Sequence, residues 1–174
     1  MKITRVETFT VAVPFVPKME VLNDNLAKVP KVIIKVHTDE GLIGIGETYR
    51  GIPESTVREE ASKLIGKDPM DMNLQDLEVS PRLKHVFEQA FYDLAGKALG
   101  VPVYKLLGGA YRTEVPVSAW SPHHGPKNPE KTAAIAELAV ELGYSVIKLK
   151  ARPWDIVETV KAIEKVAGPD MGIV

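Results

Sequence analysis

Lys148 and Lys150 stand two residues apart in Tyr144-Ser145-Val146-Ile147-Lys148-Leu149-Lys150, an apolar run that reads as a buried strand. Side chains alternate across a strand, so both ammonium groups share one face, with their Cα atoms roughly 6 to 7 Å apart. Buried strands normally avoid even one lysine. A pair on one face is costly unless the site must hold an anion or run base chemistry. Each cation disfavours protonation of the other, and burial adds to that, so one amine could be neutral enough to take a proton. The plain alternative is a strand end whose lysines reach out into water. Spacing alone leaves both readings open.

The elements that must position this pair fall into two parts with different rhythms. In the first, Phe9, Val11 and Val13 alternate with polar or small residues until Pro14 and Pro17 end a strand. A polar, proline-bounded loop runs from about Phe15 to Pro30, long enough to serve as a lid or binding loop. Val32, Ile34 and Val36 alternate again, Asp39-Glu40-Gly41 turns, and Leu42 to Glu47 returns as a hairpin arm. Pro53 opens a helix closing at Gly66, with Val57, Ala61, Leu64 and Ile65 on one face. Ser80 is the expected N-cap of a longer helix, with Pro81 at its first position. Leu83, Phe87, Ala90, Phe91, Leu94 and Ala98 recur at helical spacing until Gly100.

The second part alternates strand and helix. Val115 to Trp120 reads as a strand, and Asn128-Pro129-Glu130 starts a helix striped by Ile135, Leu138, Ala139 and Leu142. The lysine strand follows. Pro153 then opens a helix with Ile156, Val160, Ile163 and Ala167, stopped by Gly168-Pro169, and Met171 to Val174 begins another strand. This β-α-β-α-β order, at a period of about thirty residues, is the pattern of a parallel α/β sheet or barrel. A whole (β/α)₈ barrel takes about 250 residues, so the sequence is expected to hold the start of one, truncated in its third strand.

Other motifs carry less. Gly41-Leu42-Ile43-Gly44-Ile45-Gly46-Glu47 lacks the third glycine of a dinucleotide fingerprint at the right spacing, and no helix follows at once. Glycines that let a strand pack closely explain it better. His123 and His124 follow the first strand of the repeating unit, the catalytic side of a barrel; they are either a substrate contact or a solvated loop pair. No carboxylate pair or Ser/His/Asp arrangement stands out, and Glu88 and Asp93 read as a polar helix face.

Composition narrows the classes. The 174 residues are 45% hydrophobic, enough for a real core, and the formal net charge of −1 comes without long charge runs. Nothing in that balance suggests nucleic acid or a membrane surface. The absence of cysteine excludes disulfides and thiolate metal sites and fits an intracellular, cytoplasmic protein. No signal peptide is read, and no apolar run approaches the roughly 18 residues of a membrane span.

The order of the pieces carries a resemblance. An antiparallel hairpin with Gly-Ile-Gly-Glu is followed by a helix running from Phe87-Glu88-Gln89-Ala90-Phe91 to Val103-Tyr104-Lys105-Leu106-Leu107-Gly108-Gly109, and then by a Lys-x-Lys strand. This resembles the mandelate racemase and muconate lactonizing enzyme branch of the enolase superfamily over the whole chain. The resemblance implies an α+β capping domain over roughly residues 1–112 and a TIM-like barrel beginning near Thr113. It implies a Mg²⁺-dependent enzyme, an isomerase or lyase, that abstracts the proton α to the carboxylate of a small substrate. Lys150 would be the acid/base, and Lys148 would neutralise the substrate carboxylate and help lower the pKa of Lys150. Such a proton is too weakly acidic for a lysine unless a metal and fixed cations meet the developing charge. The loop from about Phe15 to Lys31, with Tyr49 to Ile52, would close over the site and select substrate, making Tyr49 a substrate-binding candidate beside His123 and His124. The metal ligands are expected beyond Val174, with none in this chain, and the 174 residues alone are expected to be inactive. A homo-oligomer is expected. Racemisation or epimerisation, sugar-acid dehydration and cycloisomerisation are not distinguished, with a lean toward the mandelate racemase-like group. Two other functions stay open: a non-catalytic anion-binding or assembly module, and a barrel lyase using one lysine as a Schiff base.

Overall fold

The period-two apolar patterns of the first fifty residues form three strands, β1 (Ile3–Pro14), β2 (Lys28–Thr38) and β3 (Ile43–Glu47). The structure is a computed structural model and describes residues 1–14, 28–122, 128–150 and 152–174. Its chain divides into two compact units, one built on β1 with Lys28–Tyr111 and one on Arg112–Val174. In the first, the strands pair antiparallel in the order β1-β2-β3, with Thr8 opposite Ile34 and Ile34 opposite Gly46. The hairpin turns where Thr38 O accepts the Gly41 N–H at 3.2 Å, and Gly41 takes the positive φ of 76° that the turn needs.

Three helices follow: α1 (Glu54–Ser62), α2 (Lys84–Leu99) and the single turn α3 (Val103–Leu106). Val32, Ile34 and Val36 point from β2 into a core shared with Val57 and Leu64 and with Leu83, Val86, Phe87 and Leu94. The Gly-Ile-Gly-Glu motif explains the close fit of β3 to α2. A β-carbon at Gly44 would overlap the Ala90 carbonyl oxygen, and one at Gly46 would overlap that of Val86. The helix also covers the open edge of β3. Asp93 accepts the Ile45 N–H at 2.9 Å, Gln89 accepts the Glu47 N–H at 3.1 Å, and Lys97 donates to Ile43 O at 2.6 Å. Asp93 thus does more than furnish a polar face.

Several boundaries differ from the sequence reading. β2 starts at Lys28, inside the stretch read as loop, and Pro30 is tolerated because β3 pairs only with Ile33–His37, leaving that part of β2 one neighbour. Phe9 and Val13 face outward, 43% and 46% exposed. Helix α1 ends at Ser62, and Leu64 rather than Ile65 takes the buried place in the following turns. Ser80 does not cap α2: its N–H is held by Glu60 at 2.9 Å, its carbonyl accepts from Leu83 in a turn, and the helix begins at Lys84. Ala98 lies on the exposed last turn of α2.

In the second unit, β4 (Ala119–Ser121), β5 (Val146–Leu149) and β6 (Gly172–Ile173) form a parallel sheet in that order. Parallel neighbours need a crossover. Helices α4 (Pro129–Glu141) and α5 (Ile156–Ala167) supply it. Their apolar sides meet the sheet through Ile135, Ala136, Ala139 and Ile163, packed with Ile147 and Met171. Strand β4 begins at Ala119, four residues later than read, while Val115 and Val117 are 72% and 70% exposed. Leu142 falls off the stripe of α4 because the helix stops at Glu141 and Gly143, at φ 81°, turns the chain. Helix α5 begins at Ile156 rather than Pro153, after a turn in which Arg152 O accepts the Asp155 N–H.

Candidate active site

Strand β5 is held on both sides. The Lys150 N–H donates to Ser121 O of β4 at 3.1 Å, and the Leu149 N–H donates to Val174 O at 2.9 Å. Lys150 thus continues the hydrogen-bond ladder one residue past the end of the strand. Ile147 is fully buried against the helix layer, with Leu149 partly buried on the same side. By alternation, Val146, Lys148 and Lys150 take the opposite face. Both lysines are exposed, so only one face of the strand read as buried is covered.

Trp120 is the register partner of Lys148 across the β4–β5 ladder and is 40% exposed. Partners in register put their side chains on the same side, so an indole flanks the lysine pair. The face therefore combines two ammonium groups with an aromatic surface. It can hold a carboxylate by charge and shield one side of it from water. Trp120 was not singled out from sequence; the signal was its place at the end of the strand preceding the lysine strand, readable only once the parallel register is known.

Tyr49 belongs to the other unit, in the connection between β3 and α1, and is 61% exposed. The connection is footed on Thr48, which is buried. The Thr48 N–H donates to Val32 O at 2.9 Å, its hydroxyl accepts the Val32 N–H at 2.8 Å, and the Lys31 ammonium donates to its carbonyl at 3.1 Å. Lys31 also pairs with Glu47 at 2.5 Å. His123 and His124, and the 15–27 part of the proposed lid, lie outside the described residues. The structure thus brings Lys148 and Lys150 to one face, while Tyr49 is described within its own unit.

Among the described residues, no three His, Asp or Glu side chains gather as a metal site, and the lysine face offers no oxygen donor set suited to Mg²⁺. No helix among the described residues is long and apolar enough to cross a membrane.

Comparison with known proteins places these units in context. Residues 3–108 match the family described as mandelate racemase/muconate lactonizing enzyme, N-terminal domain. The chain is 31% identical to an N-succinyl-L-Arg/Lys racemase of Bacillus cereus, over 99% of this chain and 51% of that protein. It is 34% identical to a D-xylonate dehydratase of Haloferax volcanii, over 68% of this chain and 32% of the dehydratase. Among solved structures, a dipeptide epimerase from Cytophaga hutchinsonii, complexed with Mg and D-Ala-L-Val, superposes with a TM-score of 0.77 at 26% identity, over 99% of this chain and 51% of the epimerase chain. The chain thus spans about half the length of the racemase and of the epimerase. With the antiparallel sheet, the glycine-packed hairpin, helices α2 and α3 and the Leu107-Gly108 turn all inside the matched span, the chain belongs to the mandelate racemase/muconate lactonizing enzyme family of the enolase superfamily.

Proposed function

We propose that the protein abstracts the proton α to the carboxylate of a small acid, as an isomerase or a lyase, with Lys150 moving the proton and Lys148 holding the carboxylate. The observation that supports this most is the shared face. Lys148 and Lys150 lie together on the uncovered side of a parallel sheet whose other side is anchored by Ile147. Lys148 as a fixed cation, and Lys150 as it gains the proton, meet the charge that develops as the α-proton leaves, and interactions that strengthen as the charge grows accelerate the step. Lys150, at the strand end, takes the proton from one face of the α-carbon. Lys148, one pleat back beside Trp120, pairs with the carboxylate in both ground and transition states.

In this reading residues 1–112 cap the site, residues from 113 onward begin a TIM-like barrel, and Tyr49 with His123 and His124 contacts substrate. The sequential order β4-β5-β6, with a helix after each of the first two strands, supports the barrel. Magnesium belongs to the proposal as the cofactor of the complete enzyme, supported by the Mg-complexed epimerase; bound, it would supply positive charge to the carboxylate oxygens. The racemase and the dehydratase among the relatives support the class without choosing between isomerase and lyase.

The test is incorporation of solvent deuterium at the α-carbon, followed by NMR, for the complete protein with Mg²⁺ and a panel of N-acylated amino acids, dipeptides and sugar acids. Exchange with inversion marks an isomerase; loss of water, with deuterium taken up at the neighbouring carbon as the enol ketonises, marks a lyase. No exchange with any member, together with borohydride trapping of a lysine adduct, would replace this reading by a Schiff-base lyase.

A further inference from the structure

The connection Thr48–Pro53 has a second foot, built from residues far away in sequence. Glu54, the first residue of α1, accepts hydrogen bonds from the Thr8 hydroxyl at 2.8 Å and the Thr10 hydroxyl at 2.6 Å, both on β1, and from Arg58 at 2.6 Å. Pro53, at the cap position of α1, makes no side-chain cap. A first-turn carboxylate ordinarily supports its own helix end. This one is also engaged by two threonine hydroxyls across the fold. Thr10, then Thr8 and Arg58, hold its carboxyl down to about 2, so it is ionised at neutral pH. Between the feet, Gly51 bends the chain at φ 78° and Ile52 packs on the core of the unit. The tip is left to present Tyr49 and Arg50, both exposed, and Arg50 has no ion-pair partner among the described residues.

We infer that Glu54 is a positioning residue: by fixing the start of α1 to Thr8 and Thr10, it sets where the Tyr49–Ile52 tip stands and so how tightly substrate is held. The inference rests on the proposed reading that this tip contacts substrate. A tip fixed at both ends loses little freedom when it binds, and preorganisation of this kind acts on affinity. Freeing one foot therefore weakens binding and leaves the proton transfer at Lys150 nearly unchanged.

The experiment uses the complete protein, with amide hydrogen exchange over residues 48–53 and steady-state kinetics. Glu54→Ala and the double variant Thr8→Val/Thr10→Val are expected to speed exchange in that segment. Both are expected to raise KM on the order of tenfold, about 1.4 kcal/mol, with kcat within about twofold. Thr8→Ser/Thr10→Ser keeps the hydroxyls and is expected to behave as wild type, as is Glu59→Ala on the exposed side of the same helix. The Thr→Val pair serves if Glu54→Ala does not fold. Unchanged exchange in residues 48–53 overturns the anchor. Faster exchange with unchanged KM, or a fall confined to kcat, overturns the positioning role. Failure of the lysine reading shows separately, as undiminished α-proton exchange in Lys150→Ala, and leaves the amide result interpretable.

Discussion

Trp120 and Lys148 are register partners across a parallel ladder, one on β4 and one on β5, on the face opposite the buried Ile147. An anion held by Lys148 therefore comes to rest beside an indole. Carboxylate binding is expected to change tryptophan emission. The change is expected to disappear in Trp120→Phe and to persist in Trp154→Phe, the other tryptophan of the sequence. A titration in which Trp154→Phe removes the signal would place the carboxylate elsewhere.

Gly44 and Gly46 of the hairpin are required by space rather than by turn geometry. A methyl at Gly44 would meet the Ala90 carbonyl and, at 2.7 Å, Leu94; one at Gly46 would meet the Val86 carbonyl and, at 3.2 Å, Ile34. Backbone carbonyls cannot rotate aside, so β3 must lift from α2. Gly46→Ala is expected to cost about 1–3 kcal/mol of stability, as overpacking does. Gly41→Ala meets no neighbour, and its cost is that of a positive φ alone. Chemical denaturation compares the two. A midpoint for Gly46→Ala equal to wild type would show that the layer is loose.

How much of this was legible follows from the range of each interaction. The lysine face was legible because a two-residue period is local, and the strand–helix alternation of the second unit because its apolar spacing is. Burial of the lysines was not, since it depends on what covers the second face of β5. Ser80-Pro81 satisfied the local rule for a helix start, yet Glu60, twenty residues away, holds the Ser80 N–H and the chain turns once more before α2. The grip of Thr8 and Thr10 on Glu54 joins residues more than forty apart, and no periodicity encodes it. Asp93 looked like one of many polar helix residues; its task became visible only with the unpaired Ile45 N–H of β3 beside it.

Acid acts on the first unit through carboxylates whose charged forms are hydrogen-bonded. Glu54 is depressed from 4.5 to about 2, chiefly by Thr10 and Thr8. Glu60 is lowered by Lys63 and the Ser80 N–H, and Asp68 by the Met70 N–H. A depressed pKa gives stability that is complete above the unfolded value and lost as pH falls through the folded one. The contribution of Glu54 is therefore present above about pH 4.5 and disappears toward pH 2. Glu54→Gln is expected to flatten the stability profile in that window and leave the slope above pH 5 unaltered. Thermal melts across pH 2 to 7 check it; parallel profiles for the two proteins would contradict it.

The proposed division of labour gives Lys150 the α-proton and Lys148 the carboxylate. Its most direct measurement is the rate of α-proton exchange with solvent deuterium in the complete enzyme, for wild type, Lys150→Ala and Lys148→Ala, each with folding checked by circular dichroism. Lys150→Ala is expected to abolish exchange from the face that Lys150 serves, whatever the substrate concentration. Lys148→Ala is expected to raise KM and lower kcat together, because its charge acts in the ground state and more strongly in the transition state. Wild-type exchange in Lys150→Ala would contradict the account.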